Sequence, residues 1–156
     1  MNANLNPAIG DDRVLTVTRI FEAPREKVWA AWIDFNHARH FDSPAGHPMR
    51  SMRSDLRVGG MWRNVMRLDG KEYPQRGVYR EIKAPEVLSF TFAWEQDDGS
   101  RGPETLVTVG LEEIAPDKTR LTLQQGVFPA TQTRDGHRGG WNRALDAFTQ
   151  FLAQRQ

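Results

Sequence analysis

The sequence predicts an α+β fold in which a curved antiparallel β-sheet of six to seven strands wraps around one long C-terminal helix. Three observations carry this. From Thr131 to Gln154, Trp141, Leu145, Phe148 and Leu152 recur at spacings of four, three and four, which draws one apolar stripe along a helix. Most of the chain before that stretch has strand character, most plainly where Leu88, Phe90, Phe92 and Trp94 alternate with Val87, Ser89, Thr91 and Ala93. Short turn sequences separate most of these runs, which suits antiparallel neighbours rather than crossover units. A striped helix and a half-apolar sheet bury each other most simply by direct contact.

Taken in order, residues 1 to 11 are polar, contain Pro7 and Gly10, and read as a flexible tail ahead of a single domain over residues 12–156. Val14 to Phe21, rich in Val, Ile and Thr, is the first strand. Two short helices are expected after it. Pro24 suits a first helical turn, and Val28, Trp29, Trp32 and Ile33 supply the apolar face of a helix to Ile33. Asp34 to Phe41 would add one or two further turns before Asp42-Ser43-Pro44-Ala45-Gly46-His47-Pro48 breaks them. Strands follow over Arg50 to Val58, Met61 to Leu68, Glu72 to Lys83, Val87 to Trp94, Thr105 to Leu111 and Thr119 to Val127.

Gly59-Gly60 and Asp69-Gly70 read as hairpin turns, because both tolerate positive φ. Pro74 points its strand toward an edge or a bulge. Thr131 or Thr133 is the expected cap of the last helix. Gly136, Gly139 and Gly140 weaken its opening turns by roughly 1 kcal/mol each relative to alanine, and either allow a bend or permit close backbone packing.

The totals narrow the function classes. At 156 residues the chain can bury roughly two thirds of its unfolded surface. Its 21 Lys and Arg against 20 Asp and Glu give no global field for nucleic acid or an anionic membrane. The absence of Cys excludes disulfides, thiolate catalysis and Cys-ligated metal sites. No apolar run approaches the roughly 20 residues a membrane span needs, and the opening residues lack secretory-signal chemistry, so a cytoplasmic protein is the expectation.

Several stretches carry a family resemblance: Arg19-Ile20-Phe21-Glu22-Ala23-Pro24-Arg25 followed by Val28-Trp29-Ala30-Ala31-Trp32, Asp55 through Gly60, Gly77 through Ile82 and Pro85 through Trp94. Glu104 through Val109, Thr119 through Leu123, and Asp135-Gly136-His137 with Gly140-Trp141 complete it. In their order and spacing over roughly residues 13 to 152 the chain resembles bacterial members of the family named for homology to the activator of heat-shock protein 90 ATPase, within the START-like, helix-grip (SRPBCC) superfamily. The resemblance implies a curved sheet gripping a C-terminal helix, usually around a cavity. It is compatible with a homodimer. It supplies no shared catalytic constellation, cofactor or metal. The eukaryotic co-chaperone of that name has a further client-contacting domain, for which this chain has no room, so the name does not carry chaperone activation over.

Candidate site residues follow from aromatic concentration and strand parity. Trp32, Phe35, Phe41, Trp62, Tyr79, Phe90, Phe92, Trp94 and Trp141 would wall a pocket, with Met49, Met52 and Met66 as adaptable filler. Trp62, Asn64 and Met66 share one strand face, which leaves Asn64 as a polar group in need of a partner. His137, between Asp135 and Trp141, would hydrogen-bond a ligand, move a proton, or make a helix-opening contact with the backbone or Asp135. His37, His40, Asp42 and His47 have ligand chemistry but no metal motif. Arg50, Arg53, Arg57, Arg63, Arg67, Arg76 and Arg80 read as a solvated sheet face.

The expected function is noncatalytic binding of a small hydrophobic or amphipathic molecule between sheet and helix. The alternatives are an enzyme of the polyketide cyclase/aromatase or hydrolytic type, with His137 or Glu81 moving the proton, and a stress-related protein-interaction module.

Overall fold

The computed structural model describes residues 12–38, 41–42, 46–47 and 49–155, with the side chains at 41, 42 and 50 outside that set. The tail expected over residues 1 to 11 lies outside the described residues. Strand β1 (Leu15–Phe21) is followed by helix α1 (Arg25–His37), the two-residue strand β2 (Phe41–Asp42), and strands β3 (Met49–Ser54), β4 (Met61–Leu68), β5 (Lys71–Lys83), β6 (Val87–Trp94), β7 (Thr105–Ala115) and β8 (Lys118–Gly126). Helix α2 (Thr131–Arg155) ends the chain. All pairings are antiparallel in the order β1-β8-β7-β6-β5-β4-β3-β2. The meander is sequential except that β1 pairs with the last strand, which brings the two ends of the sheet's sequence together under α2.

The seven longer strands match the expectation, and β2 adds a short eighth. The turns expected after Ile33 are present through His37 but continue α1 as one helix; Phe41 is already in a strand. Asp69 and Gly70, with φ of 53° and 78°, form the two-residue turn between β4 and β5. The Gly59-Gly60 turn is wider than expected. The second strand stops at Ser54, and residues 55–60 fold into a loop in which Gly60 N–H donates to Arg57 O. A Cβ on Gly60 would lie 1.9 Å from Asp55 O, so this loop requires a bare backbone there.

Pro74 lies in a strand flanked on both sides, contrary to a simple edge reading. It is nevertheless tolerated because it falls at the end of the β5–β6 ladder: Gln75↔Trp94 is the last pair, and beyond it the Pro74 carbonyl accepts the Glu95 N–H at 3.0 Å. A bulge between Tyr79 and Glu81 bends β5, and a second irregularity interrupts β3 between Met49 and Ser51. The threonines do not cap α2. Thr131 is its first helical residue, and the carbonyl of Ala130 before it accepts the Arg134 N–H.

The two halves of α2 have different surroundings. Leu145, Phe148 and Leu152 are buried against β1 and α1, where Phe21 meets Phe148 edge-on at 5.4 Å and Trp32 meets it at 5.1 Å. Phe35 of α1 packs on Phe151 at 4.9 Å. The first half, Thr133 to Ala144, has a cavity beneath it.

Candidate functional site

The cavity holds about 310 Å³ and lies between the first half of α2 and the concave sheet face. Period-two alternation brings Trp62, Asn64 and Met66 of β4 onto its floor, beside Phe90, Phe92 and Trp94 of β6, Gln75 of β5 and Met49 of β3. The roof is one face of α2, built by Thr133, Gly136, His137, Gly140, Trp141 and Ala144, with Arg143 on the rim. Asn36 and His37, at the end of α1, and His47 close one end.

One glycine lets the floor form. A Cβ on Gly77 would fall 1.7 Å from Thr91 O and 2.5 Å from Trp62 Nε1. With none there, the Trp62 indole lies across β5 and donates to Thr91 O at 3.1 Å, while Thr91 Oγ1 accepts the Val78 N–H at 2.9 Å. These bonds stand between the Arg76↔Ala93 and Tyr79↔Phe90 pairs and hold Trp62 flat, edge-on to Phe90 at 5.5 Å.

The glycines of α2 open the roof. A Cβ on Gly136 would meet nothing within 4 Å, and one on Gly140 would meet only the Arg143 guanidinium at 3.8 Å. They neither break the helix nor bring it close to a neighbour; α2 runs on from Thr131 to Arg155. Helix propensity of roughly 1 kcal/mol per glycine is given up where the cavity is wide.

The polar groups at the wall are held neutral. The Trp94 indole N–H donates to His137 Nε2 at 2.8 Å, so His137 carries its proton on Nδ1 and donates it to Thr133 O at 2.9 Å. Burial lowers its pKa. With both nitrogens engaged, His137 offers no free proton-transfer atom to the cavity; the backbone-contact reading is the one observed.

At the other end, His47 Nδ1 accepts the Met49 N–H at 2.8 Å and its Nε2–H donates to Asn36 Oδ1 at 3.2 Å. Burial lowers the His47 pKa to about 4. His37, 6 % exposed, places Nδ1 3.1 Å from Tyr79 Oη, and burial first, the nearby His47 second, lowers its pKa to about 3. Burial in turn raises Tyr79 to about 12. Among the described residues no three His, Cys, Asp or Glu side chains gather to hold a metal; His40 and the Asp42 side chain lie outside them.

Of the expected pocket residues, Trp62, Asn64, Met66, Phe90, Phe92, Trp94, His137 and Trp141 line the cavity. Trp32, Phe35, Met52 and Tyr79 do not: each is 1–2 % exposed and closed into the core. Trp32 and Phe35 are taken up by α1–α2 packing, Trp32 stacking on Trp141 at 6.4 Å, and Tyr79 is held behind His37. The Phe41 side chain is outside the described residues. Glu81 is not at the wall.

The structure adds Asn36, His37, His47, Gln75, Thr133, Gly136, Gly140, Arg143 and Ala144. Arg63 of β4 pairs with Glu95 at 2.7 Å, and Arg57, expected on a strand but found in the loop after β3, pairs with Asp55 at 2.7 Å; the Arg63 bond lowers the Glu95 pKa. Arg67 and Arg76 stand 3.5 and 3.9 Å from Glu72 and Glu95. No described helix is long and apolar enough to cross a membrane.

Comparison with known proteins agrees with this architecture. An AHSA1 protein of Silicibacter pomeroyi is 24 % identical, with 92 % of this chain and 99 % of that one covered at a TM-score of 0.72. A protein of Arthrobacter aurescens is 20 % identical over 99 % and 93 % of the two chains, TM-score 0.73. CalU16 of Micromonospora echinospora is 25 % identical over 89 % and 75 %, TM-score 0.65. No curated protein matches the chain in sequence. The profile of one family matches residues 22–153, nearly the whole of the sheet and both helices, and the chain therefore belongs to the Activator of Hsp90 ATPase homolog 1-like protein family.

Proposed function

We propose that the chain binds a small hydrophobic or amphipathic molecule between its sheet and α2, without transforming it. The observation that supports this is the apolar cavity of about 310 Å³ walled by Trp62, Phe90, Phe92, Trp94 and Trp141, a size at the lower end of ligand pockets. The noncatalytic part rests on the chemistry at the wall. His137 and His47 have both ring nitrogens engaged, His37 is held neutral, and no Asp or Glu lines the cavity among the described residues. No poised acid, base or nucleophile faces the space. An aromatic ligand burying roughly 200 Å² of apolar surface gains about 5 kcal/mol from that burial, before association costs.

The test is titration with N-phenyl-1-naphthylamine, a neutral apolar fluorophore, together with native mass spectrometry of the mixture. Saturable enhancement at one probe per chain is expected. Gly136→Leu, whose side chain has open space ahead of it, should weaken binding about tenfold by occupying the cavity. Absence of saturable binding, or equal affinity in folded Gly136→Leu, would overturn the reading.

A further inference from the structure

Besides Gln75, the one buried amide side chain among the described residues is Gln125, and both its groups are matched. Gln125, 0 % exposed, accepts the Trp141 indole N–H at 2.8 Å and donates to Thr105 Oγ1 at 2.9 Å. Asn64 and Gln75 differ. They stand directly opposite each other on β4 and β5, and both line the cavity. Their Cβ atoms are therefore roughly 5 Å apart, as in any antiparallel pair. Gln75 is 2 % exposed, yet neither amide has a hydrogen-bond partner among the described residues.

They are also not among the unpartnered polar atoms sealed from solvent, which are Arg25 Nε, Trp32 Nε1, Asn36 Nδ2, His37 Nε2 and Arg138 Nε. Two amides that are unpaired, unsealed and at the wall open onto the cavity. Each presents a carbonyl acceptor beside two N–H donors.

Their surroundings select the group they accept. Among the described lining residues there is no Asp, Glu or Lys, and the one formal cation, Arg143, is exposed on the rim. An ionised group at the amides would be desolvated without a counter-charge, which disfavours it strongly. Trp94 stands in register beside Gln75, and Trp62 precedes Asn64 on the same strand face, so the amides lie in a frame of flat rings.

We propose that the Asn64–Gln75 pair is a recognition site for an uncharged donor–acceptor group of the amide or lactam type, carried on a planar apolar body that fills the cavity. This rests on the ligand-binding reading above and names the ligand class for the same cavity. A carboxamide edge pairs in a fork with an amide edge, each giving one N–H and taking one. A hydrocarbon of the same shape leaves both protein amides unmatched, and a carboxylate meets no positive charge.

Three matched probes test it: 2-naphthamide, 2-methylnaphthalene and 2-naphthoate, titrated by quenching of tryptophan fluorescence. Wild-type protein should bind the amide about tenfold more tightly than either other probe, the ratio one to two neutral hydrogen bonds supply. Gln75→Met, which keeps the side-chain length, should reduce that preference below about threefold; Asn64→Leu is the second variant should the first fail to fold.

Equal binding of amide and hydrocarbon by wild-type protein overturns the recognition site while leaving the cavity reading intact. So does a preference that survives both substitutions. Failure of all three probes to bind overturns both.

Discussion

Acid should destabilise this protein well before its carboxylates titrate. His37 and His47 sit at the closed end of the cavity with pKa values lowered by burial to about 3 and about 4, against 6.5 in an unfolded chain. The sign follows from linkage. Between about pH 6.5 and 4 the unfolded chain takes up two protons that the folded chain refuses, so the stability is fully present above 6.5 and is lost as pH falls. Each histidine contributes a slope of up to about 1.4 kcal/mol per pH unit, hence about 2 kcal/mol from pH 7 to pH 5 and about 4 kcal/mol for the pair. His137, also lowered by burial, acts in the same direction. The result does not depend on how far below 5 the folded values lie. Keeping to pH 5 and above also leaves out Glu95, whose lowered pKa matters only once ordinary carboxylates protonate. Against a typical total of about 5–15 kcal/mol, the loss is large. The assay is urea unfolding followed by tryptophan fluorescence at pH 7, 6 and 5, with the m-value checked for constancy. His37→Met should be less stable at pH 7, because Tyr79 Oη loses one of its hydrogen-bond partners, yet should show a shallower slope than wild type, by one histidine's share. A wild-type stability at pH 5 within about 1 kcal/mol of that at pH 7 would refute the reasoning.

Four substitutions probe the cavity frame and its surroundings. Gly77→Ala should destabilise by about 3 kcal/mol, seen in the urea midpoint, because its Cβ would press on Thr91 O and the Trp62 indole. Trp62→Phe should lose about 1–2 kcal/mol in the same measurement, since Thr91 O gives up its indole donor. Gly136→Ala should stabilise by about 1 kcal/mol and raise Tm by about 3 °C in calorimetry, as the added methyl meets open space on a helix. Arg155→Ala breaks the 2.7 Å pair with Asp34 at the surface and should change stability by less than about 1 kcal/mol.

The fold was legible because its signals are local and repeated. Alternation from Leu88 to Trp94 and the stripe from Trp141 to Leu152 each state a period over many residues, and the observed β6 and α2 keep those periods. The misread points are those where a distant contact decides. After Ser54 the loop over residues 55–60 is held by Tyr79 of β5, whose carbonyl accepts the Gly59 N–H and whose N–H donates to Gly60 O, and Pro74 falls where the β5–β6 pairs end at Gln75↔Trp94; neither fact is local to the residue concerned. Which aromatics face the cavity is likewise settled by a third element. Trp32 and Phe35 point inward as their helical spacing requires, but α2 arrives with Trp141, Phe148 and Phe151 and occupies the space they would have walled.

Gln75 is the instructive omission, because the means to find it were present. Asp69-Gly70 reads as a tight turn, and a two-residue turn pairs Leu68 with Lys71 and so every residue beyond by constant sum. Counting outward from it sets Asn64 opposite Gln75 before any coordinate is known. Pro74 masks this register, because its usual meaning is the end of regular pairing. Here the ladder runs on through it, Val65 opposite Pro74, and delivers a glutamine onto a floor otherwise read as aromatic and methionine. The glycines of α2 failed to signal for a related reason. Weak helix propensity at Gly136 and Gly140 announces that something other than helix stability is being kept, but only the opposing sheet shows that it is empty volume rather than contact. A cavity is defined by what two surfaces leave between them. One-dimensional periodicity describes each surface, and the register between them has to be worked out before the polar groups on either can be paired or left free.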